Sequence, residues 1–184
     1  KLTLDAMVTE IDSISTGGSS EEVTPIELTG NQSYGCAGEL AGAYIDLHGN
    51  TITTNDITVG SYMFNKCTAE RIPFDINFGS VNNLDMSSMF IGMNNLKALP
   101  KINNANPIYM SQCFNGLHSV REIPDDYFSS WDWSNIQTNA NANIAQNFKG
   151  FYSLRKMPTS YLENAYGIGT TSNKTVYYMG FGEL

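Results

Sequence analysis

Charge is scarce in this chain of 184 residues: charged side chains make up 15% of it, and the basic ones number 10 against 18 acidic. The resulting net charge of -8 excludes general nucleic-acid binding, which rests on neutralising phosphates with Lys and Arg. Histidine is almost missing. His48 and His118 are the only two, neither has a neighbour that would orient a nucleophile, and both read as surface or turn residues. No P-loop, HExxH or GxSxG pattern occurs, and no His/Cys pair has metal-ligand spacing. The expectation is therefore a non-enzymatic protein without cofactor or metal. Cysteine is limited to Cys36, Cys67 and Cys113, an odd number with no CxxC, so the three read as small core residues. No apolar run approaches the roughly 20 residues that span a bilayer, so membrane insertion is not expected.

What is present is a polar but weakly charged composition, 41% hydrophobic with much Asn, Ser, Thr and Gly, common among secreted and virion proteins. The length suits one domain. Near the start, Leu4, Met7, Val8, Ile11 and Ile14 fall at helical spacing behind Thr3 as N-cap. Thr16 to Glu22 then reads as a flexible linker. The first residue is Lys1 rather than Met, and no signal-peptide pattern is visible, so a further upstream part is expected.

The dominant feature is a repeat of the form Phe-x-x-apolar-x-x-apolar-x-x-apolar-Pro. It runs from Phe64 to Pro73, Phe90 to Pro100, Phe114 to Pro124 and Phe148 to Pro158, with steps of 26, 24 and 34 between the phenylalanines. The last step holds an insertion with Tyr127, Phe128, Trp131 and Trp133. The first unit is one residue short and carries Glu70 and Arg71 where an apolar residue is due. The spacing suits one helical turn after each Phe and a very short strand that each Pro ends. Stacked units would bury one core. An earlier, weaker unit is placed in Ile26 to Gly60, with Tyr34 to Ala37 standing for Tyr-Met-Phe and with Ile45, Leu47, Ile52 and Ile57 strand-like. Asp46 to Asn50 reads as a plain turn, since the glycine is misplaced for a calcium loop and no glutamate closes it.

The predicted fold is an α/β, irregular leucine-rich-repeat-like solenoid with very short parallel strands and short helical turns, preceded by a short N-terminal helix. Its predicted parts are 1–22 (helix and linker), 23–60 (N-terminal cap with a degenerate repeat), 61–165 (solenoid) and 166–184 (C-terminal cap, with Val176 to Met179 as a capping strand).

Ser61 to Phe64, Asp85 to Phe90 and Asn94 to Pro100 resemble the BspA-type leucine-rich repeat, a likeness covering about residues 60 to 165. The family's cysteine stands only at Cys67, with Met93, Leu117 and Phe151 elsewhere, a departure conservative for a core. Leu2 to Ile14 is similar to a segment that precedes C-terminal domains in tail and fibre proteins of phages infecting Gram-positive gut bacteria. The first resemblance implies cell-surface adhesion. The second implies a virion structural or host-recognition role, with other virion proteins or a host-surface glycan or protein as partner, a virion-tail location and a possible homo-oligomer. An extracellular or bacterial cell-surface adhesin is the alternative.

Candidate ligand-binding residues follow from the repeat. Lys97, Arg121 and Arg155 lie three residues before their prolines, and Arg71 and Lys156 two before theirs. Stacking would turn them into a basic column facing an anionic partner, or into a solvated row that covers apolar strand edges. Trp131 and Trp133 can stack on sugar rings or fill a widened layer of core. Asp125 and Asp126, directly after Pro124, read as solvated turn residues rather than an acid/base pair.

Overall fold

A computed structural model describes residues 24–139 and 141–166. The segment Leu4 to Ile14, its linker and the stretch Val176 to Met179 lie outside the described residues.

The architecture is set by tight turns around each repeat phenylalanine. The residue two before the ring and the residue two after it are left-handed: Tyr62 and Lys66 (φ 56° each), Ser88 and Gly92 (55° and 74°), Gln112 and Gly116 (56° and 80°), Gln146 and Gly150 (57° and 77°). A left-handed residue at each flank prevents any helix from propagating. Within a turn the amides split into two sets. Met63, Asn65 and Cys67 donate back to the carbonyls of Gly60, Tyr62 and Phe64 at 3.1, 3.1 and 3.0 Å. Tyr62, Phe64 and Lys66 donate instead to Ser87, Met89 and Ile91 of the next unit at 3.0, 2.8 and 2.9 Å. Ser88, Phe90 and Gly92 repeat this toward Ser111, Cys113 and Asn115. The buried backbone is thus satisfied without a helix or a long strand.

Side chains follow the same translation. Phe64, Phe90, Phe114 and Phe148 stack at centroid separations of 5.4, 5.7 and 5.7 Å. In the first layer Cys36 takes the ring position, since its amide donates to the Met63 carbonyl as that of Phe64 does to Met89. At the lengthened step Phe128 enters edge-on, 5.8 Å from Phe114 and 4.9 Å from Trp131, and Tyr161 meets both Phe128 and Phe148 at 5.2 and 4.7 Å. Burial of aromatic area on this scale, with each pair adding about 0.5–1.5 kcal/mol, makes this column the chief source of stability.

Strands are short and flank the turns. β1 (Ile26–Asn31) pairs in parallel with β2 (Ile52–Val59), the two joined through helix α1 (Glu39–His48). β3 (Ile76–Asn77) pairs with β5 (Ile102–Asn103), and β4 (Leu84–Asp85) with β6 (Pro107–Tyr109), again in parallel. An amide ladder reinforces them: Asn77 Nδ2 donates to the Thr54 carbonyl at 2.9 Å and Asn103 Nδ2 to Asn77 Oδ1 at 2.8 Å. Helices α2 (Ser134–Thr138) and α3 (Thr159–Tyr166) complete the described residues.

These elements correct the expected fold. The described residues form three separate two-stranded parallel sheets and three helices, not a leucine-rich-repeat-like solenoid with one strand and one helical turn per unit. The Phe-x-x-apolar segments are turns, because their left-handed flanks break a helix. The apolar-Pro segments carry no strand, since proline brings no amide and the cross-layer bonding there is sparse: Lys97 N to Glu70 O at 3.0 Å, and Arg155 N to Arg121 O at 3.1 Å. Ile45 and Leu47, expected in a strand, lie in α1. Ala41, Tyr44, Ile45 and His48 form its buried stripe at helical spacing, and His48 is buried against the Tyr44 ring at 4.6 Å rather than sitting on a surface turn. Gly42 lets α1 approach so closely that a Cβ there would lie 2.0 Å from Thr68 Oγ1.

Two outcomes follow. A Cβ at Gly116 would lie 3.3 Å from Gly92 N while its φ stays at 80°, so Gly116→Ala is expected to cost about 1–2 kcal/mol in urea unfolding. Lys66→Gly, at the equivalent left-handed position of the preceding units, is expected to cost far less or to stabilise. The three cysteines are free and buried, and burial pushes the Cys36 thiol up to about 12, that of Cys67 to about 11 and that of Cys113 well above its ordinary value. Native protein at pH 8 is therefore expected to leave a thiol reagent such as DTNB unconsumed, with all three reacting only after denaturation.

Candidate functional site

The apolar positions that follow each phenylalanine point inward, as Leu117 and Val120 do, and the intervening positions form the outer edge of the stack. Two rows of outward positions result. One contains Thr68, Asn94, His118 and Tyr152, four residues after each ring. The other lies three residues before each proline and contains Glu70, Lys97, Arg121 and Arg155, with backbone bonds joining Lys97 to Glu70 and Arg155 to Arg121.

The first unit interrupts the expected basic column: Glu70, three residues before Pro73 as Lys97 is before Pro100, stands in register with Lys97, and the Lys97 ammonium pairs with the Glu70 carboxylate. Arg71 is exposed and stands outside that register. Lys156 pairs with Asp125 at 2.5 Å. Exposed ion pairs of this kind add little stability but do cancel charge. Arg121 and Arg155 remain: both are exposed, stand in adjacent layers and have no carboxylate within ion-pair distance among the described residues. With Lys156, Asp125, Glu122 and Ile123 they line a cleft of about 270 Å³.

Trp131 and Trp133 lie elsewhere. They are 5% and 4% exposed and stack on each other at 5.9 Å, and Trp133 Nε1 donates to the Phe128 carbonyl at 3.3 Å. They fill the widened layer and present no ring face to a ligand. Two aromatic pairs, each with one exposed ring, were not singled out from the sequence. Tyr152, 60% exposed, packs on His118 at 4.6 Å, and Tyr34, 52% exposed, stacks on Tyr62 at 4.7 Å and 6°. The signal for both was available, because each pair occupies one position of the repeat in neighbouring layers.

Asp125 does structural work. Its Oδ1 accepts from the amide and hydroxyl of Thr159 at 3.3 Å, and its carbonyl from Ser160 N at 3.0 Å, which ties the start of α3 to the preceding unit. The hydrogen bond from Lys156, then that from the Thr159 amide, holds its carboxyl below the usual range. The Ser134 backbone and hydroxyl do the same for Asp132. A carboxyl depressed in the folded state contributes stability above its unfolded pKa and loses that contribution as pH falls through the folded value. The thermal midpoint is accordingly expected to drop on acidification below about pH 4, the ordinary carboxylate range. An Asp125→Asn/Asp132→Asn variant should show a shallower acid limb in the same melting series.

Comparison with known proteins gives no relative on which to test these assignments: no protein-family model, no curated protein and no solved structure matches the chain.

Proposed function

We propose that the chain is a non-enzymatic binding and structural module, the C-terminal part of a phage tail or fibre protein acting in host-surface recognition or virion assembly. The observation that carries this reading is the register of the outer edge. Backbone bonds from turn to turn fix equivalent side chains of successive units in rows, Thr68, Asn94, His118 and Tyr152 in one and Glu70, Lys97, Arg121 and Arg155 in the other. A rigid row of exposed side chains loses little conformational freedom on binding, which favours recognition of an extended, repetitive partner such as a surface glycan. The phage setting rests on the likeness of Leu2 to Ile14 to tail and fibre proteins. The likeness of the repeat to BspA-type adhesins supports a second reading, a bacterial cell-surface or secreted adhesin.

The test is binding of the fluorescently labelled chain to intact Gram-positive gut bacteria and to their purified walls. Saturable binding, competed by unlabelled chain and leaving the wall glycans at their original length by mass spectrometry, is the expected result. Shortened glycans would overturn the non-enzymatic reading, and absence of saturable binding across a broad panel would overturn surface recognition.

A further inference from the structure

The charge distribution along the outer edge singles out one place. In a chain of net charge -8 the basic side chains have many acids to meet, and Lys97, Lys101 and Lys156 each meet one, in Glu70, Asp75 and Asp125. Among the described residues Lys66, Arg71, Arg121, Lys149 and Arg155 do not, and of these Arg121 and Arg155 alone are joined to each other by a cross-layer backbone bond, from Arg155 N to Arg121 O at 3.1 Å. Like charges in register on neighbouring segments repel. An anion lying between them would remove that repulsion and accept from both guanidinium forks, whose planar donor geometry matches phosphate and carboxylate. Their cleft contains Lys156 as a third cation against Glu122 and Asp125, so a positive site stands on an acidic protein.

Three residues earlier in the same two layers stand His118 and Tyr152, packed on each other at 4.6 Å. Val120 turns inward between His118 and Arg121. The tyrosine is 60% exposed, and such an aromatic surface is the kind on which a sugar ring packs.

We propose that Arg121 and Arg155 form a subsite for an acidic glycan, its phosphate or carboxylate held between the two guanidinium groups and a neighbouring sugar ring packed on Tyr152. The inference rests on the binding-module reading and names the class of ligand for it. Calorimetric titration of the whole chain with a phosphodiester-linked hexose oligomer, an oligogalacturonate and a neutral oligosaccharide tests it. The phosphate and carboxylate arms identify which anion is preferred. At least one acidic oligomer is expected to bind and the neutral one not. Arg121→Ala/Arg155→Ala should weaken that binding about 10- to 100-fold, the loss that accompanies removal of charged hydrogen bonds, with an unchanged melting temperature because both side chains are exposed. Tyr152→Ala should weaken the oligomer while leaving the binding of inorganic phosphate unchanged. Failure of the native chain to bind either acidic oligomer, or undiminished binding by the double variant, overturns the subsite. Cell binding without acidic-glycan binding would remove the subsite and leave the module reading standing, whereas acidic-glycan binding without cell binding would do the reverse.

Discussion

Everything in this structure depends on how the backbone amides of a tight turn are shared. Alternate amides close the turn on itself, and the ones between reach the carbonyls of the next unit, as Met63 and Phe64 do toward Gly60 and Met89. The arrangement needs left-handed backbone at two places in every turn, which glycine supplies without steric cost at Gly92, Gly116 and Gly150 and which Lys66 adopts in the preceding unit. Once the amides are shared in this way, the translation between units is fixed, and the phenylalanine rings have one way to lie: face to face, less than 6 Å apart.

That fixed translation also explains how the chain tolerates irregular steps. Between Pro124 and Asn143 the backbone leaves the pattern, and the extra residues return as an aromatic wedge of Phe128, Trp131 and Trp133 braced by Tyr161. Asn147, buried where earlier units carry Met63, Met89 and Cys113, accepts from the Cys113 amide at 3.0 Å and donates to the Tyr161 hydroxyl at 3.1 Å. A buried amide with both ends satisfied ties the wedge and α3 to the column. At the other end, the first unit carries Glu70 at the position where the next three carry Lys97, Arg121 and Arg155, and this decides the charge pattern of the outer edge: Lys97 meets that acid across the layers, whereas Arg121 and Arg155 meet none.

The recurring phenylalanines, the apolar positions behind them and the lengthened third step were legible in the sequence, because burial imposes a periodicity that the order of apolar and polar residues displays. The sequence did not reveal what backbone the period belongs to. A spacing of three suits a helical turn as well as a pair of linked β-turns, and the choice falls to Ser88, Gln112 and Gln146, whose left-handed conformation nothing in their side chains announces. The proline that marks each unit was read as a strand end, yet its main effect is to keep that part of the unit free of a ladder.

For the candidate site, the sequence by itself determined which cations recur at one position of the unit, and hence that Lys97, Arg121 and Arg155 share an edge. Only the tertiary structure decided which of them is uncompensated. Ion pairing acts over a few ångströms between layers some 24 to 34 residues apart in the chain, so Glu70 and Asp125 become partners through stacking register rather than through any local pattern. The same holds for the tryptophans, whose place in the core depends on Phe128 and Tyr161 arriving from different segments, and for Tyr152, which acquires its place beside the arginines only when its layer packs against that of His118.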